Sequence, residues 1–207
     1  MAIKLSLPIS DEAIRGLQVG DSVLLSGVMI TGRDAVHKWI ADTFIQKKRA
    51  PAGDDLAVHE ALKPILDGGI IYHCGPVVGG LDTQQYRFVA AGPTTSIREE
   101  PYQGDVMRHF NLKGVIGKGG MGAKTLRACQ EVPGVYFHAI GGAASLIAQS
   151  VKQVRGVYKL EFGVPEAMWV IEVEDFPAVV TMDAHGNSLH EAVRERSREA
   201  LERLIGM

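Results

Sequence analysis

Cysteine is nearly missing from this 207-residue chain. Only Cys74 and Cys129 occur, far apart and without Cys-x-x-Cys spacing, so neither a disulfide framework nor a complete zinc or iron–sulfur site is written here. Long apolar runs are missing too, and Met1-Ala2-Ile3-Lys4-Leu5 lacks a signal-peptide pattern, so a cytosolic protein without a membrane partner is expected. Lys and Arg number 22 against 24 Asp and Glu, for a formal charge of −2, and a chain this close to neutral gives a nucleic-acid partner no electrostatic support. There is no internal repeat, low-complexity tract or Pro/Ser-rich linker, which predicts one domain over residues 1–207.

What is present reads as α/β. Ile3, Leu5 and Leu7 alternate as a strand, and Ser10-Asp11-Glu12 supplies a helix start. Residues 21–30 form a buried strand that delivers the loop Thr31-Gly32-Arg33-Asp34, after which Val36, Ile40 and Phe44 share one side of a helix. The basic, Gly- and Asp-containing stretch 47–55 is expected to be a mobile loop. From Gly69 onward, strands at 70–74, 88–91, 114–116 and 135–140 each end at glycine, and helices follow at 123–129 and 143–151. That alternation predicts parallel pairing, with a ligand site beyond the carboxyl ends of the strands. Residues 158–162, 167–173 and 178–182 read as closely spaced added strands, His185-Gly186-Asn187 as a turn, and Leu189–Ile205 as a helix with Leu189, Val193, Ala200, Leu201 and Leu204 toward the core.

The chemistry-bearing residues gather on the glycine-marked loops. Gly92-Pro93-Thr94-Thr95-Ser96-Ile97-Arg98 joins two hydroxyls to a guanidinium, Lys118 sits in Gly117-Lys118-Gly119-Gly120-Met121-Gly122, and Arg33 is on a third loop. Fixed cations beside hydroxyls suit a small dicarboxylate, because a guanidinium orients a carboxylate through paired hydrogen bonds. Each piece also has a plainer reading. Thr94-Thr95 fits a cap or turn, Glu99 and Glu100 are placed to neutralise Arg98, Asp34 fits a helix cap beside a solvated Arg33, and His37 three positions on can be oriented by Asp34. Gly117-x-Gly119-x-x-Gly122 matches the dinucleotide fingerprint, but the next strand ends in Ile140-Gly141-Gly142 without the ribose-binding acid, and a lysine inside the loop suits a carboxylate or phosphate aided by helix N-terminal N–H groups. The histidines show no metal-ligand spacing, so no metal site is assigned. Cys74 and Cys129 are read as apolar fillers, and Trp39 and Trp169 as core or interface aromatics.

Taken in order, Thr31-Gly32-Arg33-Asp34, Gly92-Pro93-Thr94-Thr95 with Arg98, Lys118-Gly119-Gly120-Met121-Gly122, Ile140-Gly141-Gly142-Ala143-Ala144 and Glu172-Val173-Glu174-Asp175-Phe176-Pro177 resemble the β subunit, or C-terminal domain, of the iron–sulfur class I fumarases and the related L-tartrate dehydratases. The resemblance runs from about Leu5 to Asn187. It implies a swivelling β/β/α three-layer domain with a mixed sheet. It also implies reversible hydration of fumarate to L-malate, with dehydration of tartrate to oxaloacetate as the alternative. The [4Fe-4S] cluster would be carried by a partner α subunit in a hetero-oligomer, and this chain alone would bind none. By the same resemblance Arg33, Arg98 and Lys118 hold substrate carboxylates, Thr94 is the proton-abstracting group and Thr95 a substrate contact, with Gly119 and Gly120 shaping the lysine loop. Adjacency suggests that Asp34 orders Arg33. His73 and Cys74 are expected to touch none of these motifs. A module that binds an anion or nucleotide without catalysis is the reading from another class.

Overall fold

Apolar residues alternate across four short strands, and this alternation builds two cores on opposite faces of one sheet. The computed structural model describes residues 1–206. Strand β1 (Ile3–Ser6) leads into helix α1 (Asp11–Arg15), whose Ser10 side chain accepts from the Ala13 N–H, the cap the sequence predicts. Strands β2 (Ser22–Thr31) and β3 (Ile70–Tyr72) pair in parallel. Two further strands, defined here as β6 (Gly114–Gly117) and β7 (Val135–His138), continue the parallel set, β6 beside β3 and β7 beside β6. Between them in sequence lies a separate antiparallel hairpin, β4 (Val77–Gly79) with β5 (Arg87–Ala90). The strand expected at 88–91 is therefore real but does not join the parallel set.

Helices α2 (Asp34–Ile40), α3 (Asp55–Leu66), α4 (Glu100–Phe110) and α5 (Ala123–Glu131) cover one face. There Val36, Ile40, Leu62, Val106 and Ala128 pack on Ile30, Ile71, Val115 and Tyr136. The neighbouring residues in the same strands, Ile70, Tyr72, Ile116 and Phe137, point the other way and pack with Trp169, Ile171 and Phe176. Those last three lie on β9 (Met168–Met182), a single 15-residue strand where the sequence pattern predicts two. Its backbone turns at Asp175, with φ of 49°, opposite a register shift between Leu25 and Gly27, so one half pairs with β8 (Val151–Tyr158) and the other with β7, while both halves pair with β2. The seven-stranded sheet is mixed, and the layers run helix, parallel strands, antiparallel strands.

Two boundaries and one burial pattern differ from the sequence reading. Helix α6 (Ala144–Ala148) stops three residues before 151, because Val151 already pairs in β8. Residues 160–162 form a 3₁₀ turn after β8 rather than a strand. The last helix, α7 (Leu189–Ile205), has the predicted bounds but buries nothing: Leu189, Val193, Leu201 and Leu204 are exposed, Leu204 at 84 %. Its apolar spacing is real, and no other element of the described chain covers it. Trp39, Trp169, Cys74 and Cys129 are all buried, as expected. No helix of the described residues is long and apolar enough to cross a membrane.

Candidate active site

The parallel strands β2, β3, β6 and β7 all point their carboxyl ends to one edge, and the loops bearing the sequence-predicted residues meet there. The Thr94–Ser96 segment reaches this edge although it follows the small hairpin. Beyond Tyr72 and Ile116 the strands β3 and β6 part, and the segment lies between them. Thr94 N–H donates to the His73 carbonyl at 2.8 Å, Lys118 N–H to the Thr94 carbonyl at 3.1 Å, and Ser96 N–H to the Lys118 carbonyl at 3.1 Å. The Thr94 and Lys118 backbones are thereby fixed side by side. Gly117 permits the approach, since a Cβ there would overlap the Ser96 hydroxyl. Gly119 and Gly120 both have positive φ, 81° and 76°, which carries Lys118 into the loop that opens α5.

The Thr94 Oγ1, Arg33 Nε and Asp34 Oδ1 atoms are buried and have no hydrogen-bond partner, an unusual concentration for a native interior. Arg98 is paired with Asp34, not with Glu99 or Glu100. Consecutive residues of a helical turn point in different directions, so the adjacent acids cannot reach the Arg98 guanidinium side by side. Arg33 is paired with Glu166, Nη1 to Oε1 at 3.0 Å. The expectation that Asp34 orders Arg33 is corrected accordingly: Asp34 orders Arg98, and Glu166 orders Arg33. Lys118 is half-buried beside Gly141, where a Cβ would stand 3.6 Å from its Cδ. Thr95 is exposed at the rim.

Behind Thr94 lies a buried polar chain. The Tyr136 hydroxyl donates to Ser96 Oγ at 2.8 Å, Ser96 meets His73 Nδ1 at 2.8 Å, and His73 Nε2 donates to Gln103 Oε1 at 2.8 Å. Burial holds the His73 ring well below its ordinary pKa, so it is neutral, with Nδ1 as acceptor. His37 stands edge-on to it, ring centres 5.0 Å apart, and donates from Nδ1 to the Arg33 carbonyl at 2.9 Å rather than meeting Asp34; burial lowers its pKa as well. His73 thus supports the threonine loop directly, contrary to the expectation that it touches no motif, and the Cys74 backbone bridges to Pro93. Glu99 is buried at 1 % exposure, and burial, reinforced by the charge of Asp34, pushes its carboxyl up to about 8.

The N-terminus of α5 is not open to a ligand. The Glu100 carboxylate accepts from Gly122 N–H at 2.8 Å, Lys124 N–H at 2.9 Å, Thr125 N–H at 3.3 Å and the Thr125 hydroxyl at 2.6 Å. The donors that the glycine fingerprint would offer a phosphate are occupied by an internal anion. Nucleotide binding at this loop loses its physical basis, and with it the assistance expected for Lys118 from those N–H groups.

Sequence reasoning missed Glu166, Gln103 and Tyr136, and it read Glu99 only as a neutraliser of Arg98 and Ser96 only as part of the threonine loop. Glu166 follows a Gly-Val-Pro turn 133 residues from Arg33 and carries no local signal. Glu99 was detectable, because three successive charges at a helix start cannot share a face. A cavity of about 590 Å³ lined by Glu60, Lys63, His109 and Asn111 opens at the opposite edge, where the strands begin, so volume does not mark this site. Among the described residues no group of three or more His, Cys, Asp or Glu is arranged to hold a metal ion. Cys74 and Cys129 are fully buried, and burial pushes both thiols up to about 12, which does not fit thiolate ligation of a cluster.

A family model described as fumarase C-terminus matches residues 1–193. A Geobacillus stearothermophilus protein bearing the name fumarate hydratase class I is 52 % identical over 200 residues, which cover 96 % of this chain and 35 % of that protein. Proteins named L(+)-tartrate dehydratase subunit beta are 36 % identical in Methanocaldococcus jannaschii, over 96 % of both chains, and 34 % identical in Escherichia coli strain K12, over 89 % of this chain and 85 % of that one. The chain therefore spans about a third of the first of these relatives and most of the other two.

Proposed function

The chain belongs to the fumarase C-terminus family, and from that premise we propose that it is the β subunit of a hydro-lyase that interconverts fumarate and L-malate, assembled with a partner subunit that carries a [4Fe-4S] cluster. The observation that carries this reading is the meeting of Arg33, Thr94, Arg98 and Lys118 at one edge of the sheet, with the Thr94 hydroxyl buried and unpartnered. A small dianion with a carboxylate at each end matches two guanidiniums and an ammonium on three loops. The two thiols of this chain do not suit a cluster, so its own share is to bind, orient and handle a proton.

Dehydration of malate removes a proton from the carbon next to a carboxylate, and charge then builds on that carboxylate. Arg33 and Arg98 are held at the crevice by Glu166 and Asp34 before substrate arrives, and with Lys118 they stand where they can stabilise the developing charge. Arg98 and Arg33 must each loosen an internal carboxylate, Asp34 and Glu166, to take a substrate carboxylate. Thr94 Oγ1 is the proton acceptor in this reading. A threonine hydroxyl is a weak base, and the cations on the neighbouring loops favour its ionised form. Thr95, at the rim, meets the outer end of the substrate. Gly119 and Gly120 keep Lys118 at the crevice.

Fumarate is preferred over tartrate because 52 % identity to a protein named for the first exceeds 36 % and 34 % to proteins named for the second. The test is an anaerobic ultraviolet assay of fumarate consumption with the chain co-purified with its partner. Consumption by the complex and none by the isolated chain is the expected result. Consumption of tartrate instead would replace the substrate, and no turnover of either by a cluster-loaded complex would overturn the reading.

A further inference from the structure

Glu99 is buried at the site without a counter-ion, and unlike Glu100 it has no set of N–H donors in its place. It lies next to Arg98 in the chain, yet Arg98 is taken by Asp34 and Arg33 by Glu166. Its Oε2 has no donor and stops 4.0 Å from His73 Nδ1, a nitrogen already engaged with Ser96. A carboxylate so placed has a backbone N–H of its own residue as donor, fewer than a buried anion needs, whereas the neutral acid is tolerated. The titratable and charged groups around it are Arg33, Asp34 and His37 from the β2–α2 junction and α2, His73 after β3, Tyr136 on β7, and Arg98 and Glu100 on its own segment. Burial keeps His37 and His73 neutral and raises the Tyr136 phenol above its ordinary value. Glu100 is committed to α5. Asp34 opposes ionisation of Glu99, and Arg98 and Arg33 favour it.

A dianion at Arg33 and Arg98 shifts that balance one way. It adds negative charge and neutralises the two cations that favour ionised Glu99. We propose that Glu99 couples occupancy of the anion site to proton uptake, its carboxylate taking one proton from solvent as the dianion binds, with no bond of the ligand altered. The proposal rests on the dicarboxylate reading above. By linkage, ionised Glu99 weakens dianion binding by the same factor that the dianion favours the acid. With the carboxyl pushed up to about 8, the neutral acid prevails at neutrality. Above that value, affinity falls by up to about tenfold per pH unit.

The experiment is calorimetric titration of the anaerobic complex of this chain and its partner with succinate, a saturated dicarboxylate that has no double bond to hydrate, in two buffers of different ionisation enthalpy. At a pH of about 8, uptake of about half a proton per site is expected, with Kd rising as pH increases further. In Glu99→Gln both the buffer dependence and that rise should vanish. Succinate binding by the wild-type complex without proton uptake, or the same uptake in Glu99→Gln, overturns the coupling and leaves the function standing. The wild-type buffer dependence alone decides the matter if the variant does not fold. No heat with succinate and no turnover of fumarate or tartrate overturns both.

Discussion

The Arg98 guanidinium is ion-paired with the Asp34 carboxylate, joining two loops 64 residues apart in sequence. The pair is partly exposed, 58 % at the arginine and 34 % at the aspartate, so it contributes little to stability. Its consequence is orientation. Asp34 holds the planar fork of Arg98 at the crevice, and a substrate carboxylate replaces one anion by another on donors already aligned.

Arg98→Ala should therefore separate activity from folding. We expect kcat/KM to fall by roughly 10²–10⁴-fold in the assembled enzyme, while the change in unfolding free energy stays within about 1 kcal/mol. Arg98→Lys should recover little, because an ammonium cannot reproduce paired donors. Steady-state kinetics with a urea melt of each variant checks both statements.

Thr94→Val should move the two properties in opposite directions. The hydroxyl is buried without a partner, so replacing it by a methyl group of similar shape removes an unsatisfied polar atom. Stability should hold or rise by about 1 kcal/mol, while turnover falls by at least about 10²-fold. A variant that keeps its rate would remove Thr94 from the proton-transfer role.

Gly117→Ala should cost more than either change. A Cβ at this position meets the Ser96 hydroxyl, which links Tyr136 to His73, and the surrounding backbone fixes Lys118 beside Thr94. Destabilisation of about 2–4 kcal/mol is expected from overpacking and a broken buried network, with loss of activity. Denaturation midpoints and single-turnover rates give the comparison.

Away from the site, Asp55 and Lys159 form a buried pair at 2.9 Å, both side chains 4 % exposed, with Trp39 and Arg49 also donating to Asp55. Burial alone would raise the Asp55 pKa, but the Ala52 N–H, Lys159 and Trp39 outweigh it and lower it to about 2. A depressed carboxyl stabilises the fold above its unfolded value of 3.8, and that contribution is lost as pH falls through about 2. Lys159→Met should destabilise by about 1–3 kcal/mol at neutral pH, since it removes the buried one of the two cations paired with Asp55 and leaves Arg49. Asp55→Asn should weaken the dependence of stability on pH between about 4 and 2. Denaturant titrations of the three proteins across that range measure both effects.

The parts of this fold that were legible from sequence are those set by short-range chemistry. Alternation gave β1, apolar runs gave β2, β6 and β7, Ser10 gave the start of α1, and glycine after strand gave the loops of the crevice. Helices α3 and α4 were not legible. Their starts are blurred by the 51–54 stretch and Pro101, Pro64 lies inside one, and Gly104 lies inside the other where α4 closes on α5. The exposed α7 shows the reverse failure, because helical spacing of apolar residues is local and burial is not. At the site, Arg33, Thr94, Arg98 and Lys118 were readable as residues on loops. Their partners were not, since Glu166, Asp34 and His73 reach them only through tertiary contact.

Four of the five residues from Ser96 to Glu100 face fixed partners elsewhere in the molecule, while Ile97 is half exposed. Ser96 faces β7 and the end of β3, Arg98 faces α2, Glu99 faces His73, and Glu100 faces α5. Such a segment works as a ruler. Exchanging one of its side chains removes a single anchor, but adding or deleting one residue rotates every later anchor off its target at once, so its length is more tightly bound than the identity of any residue within it.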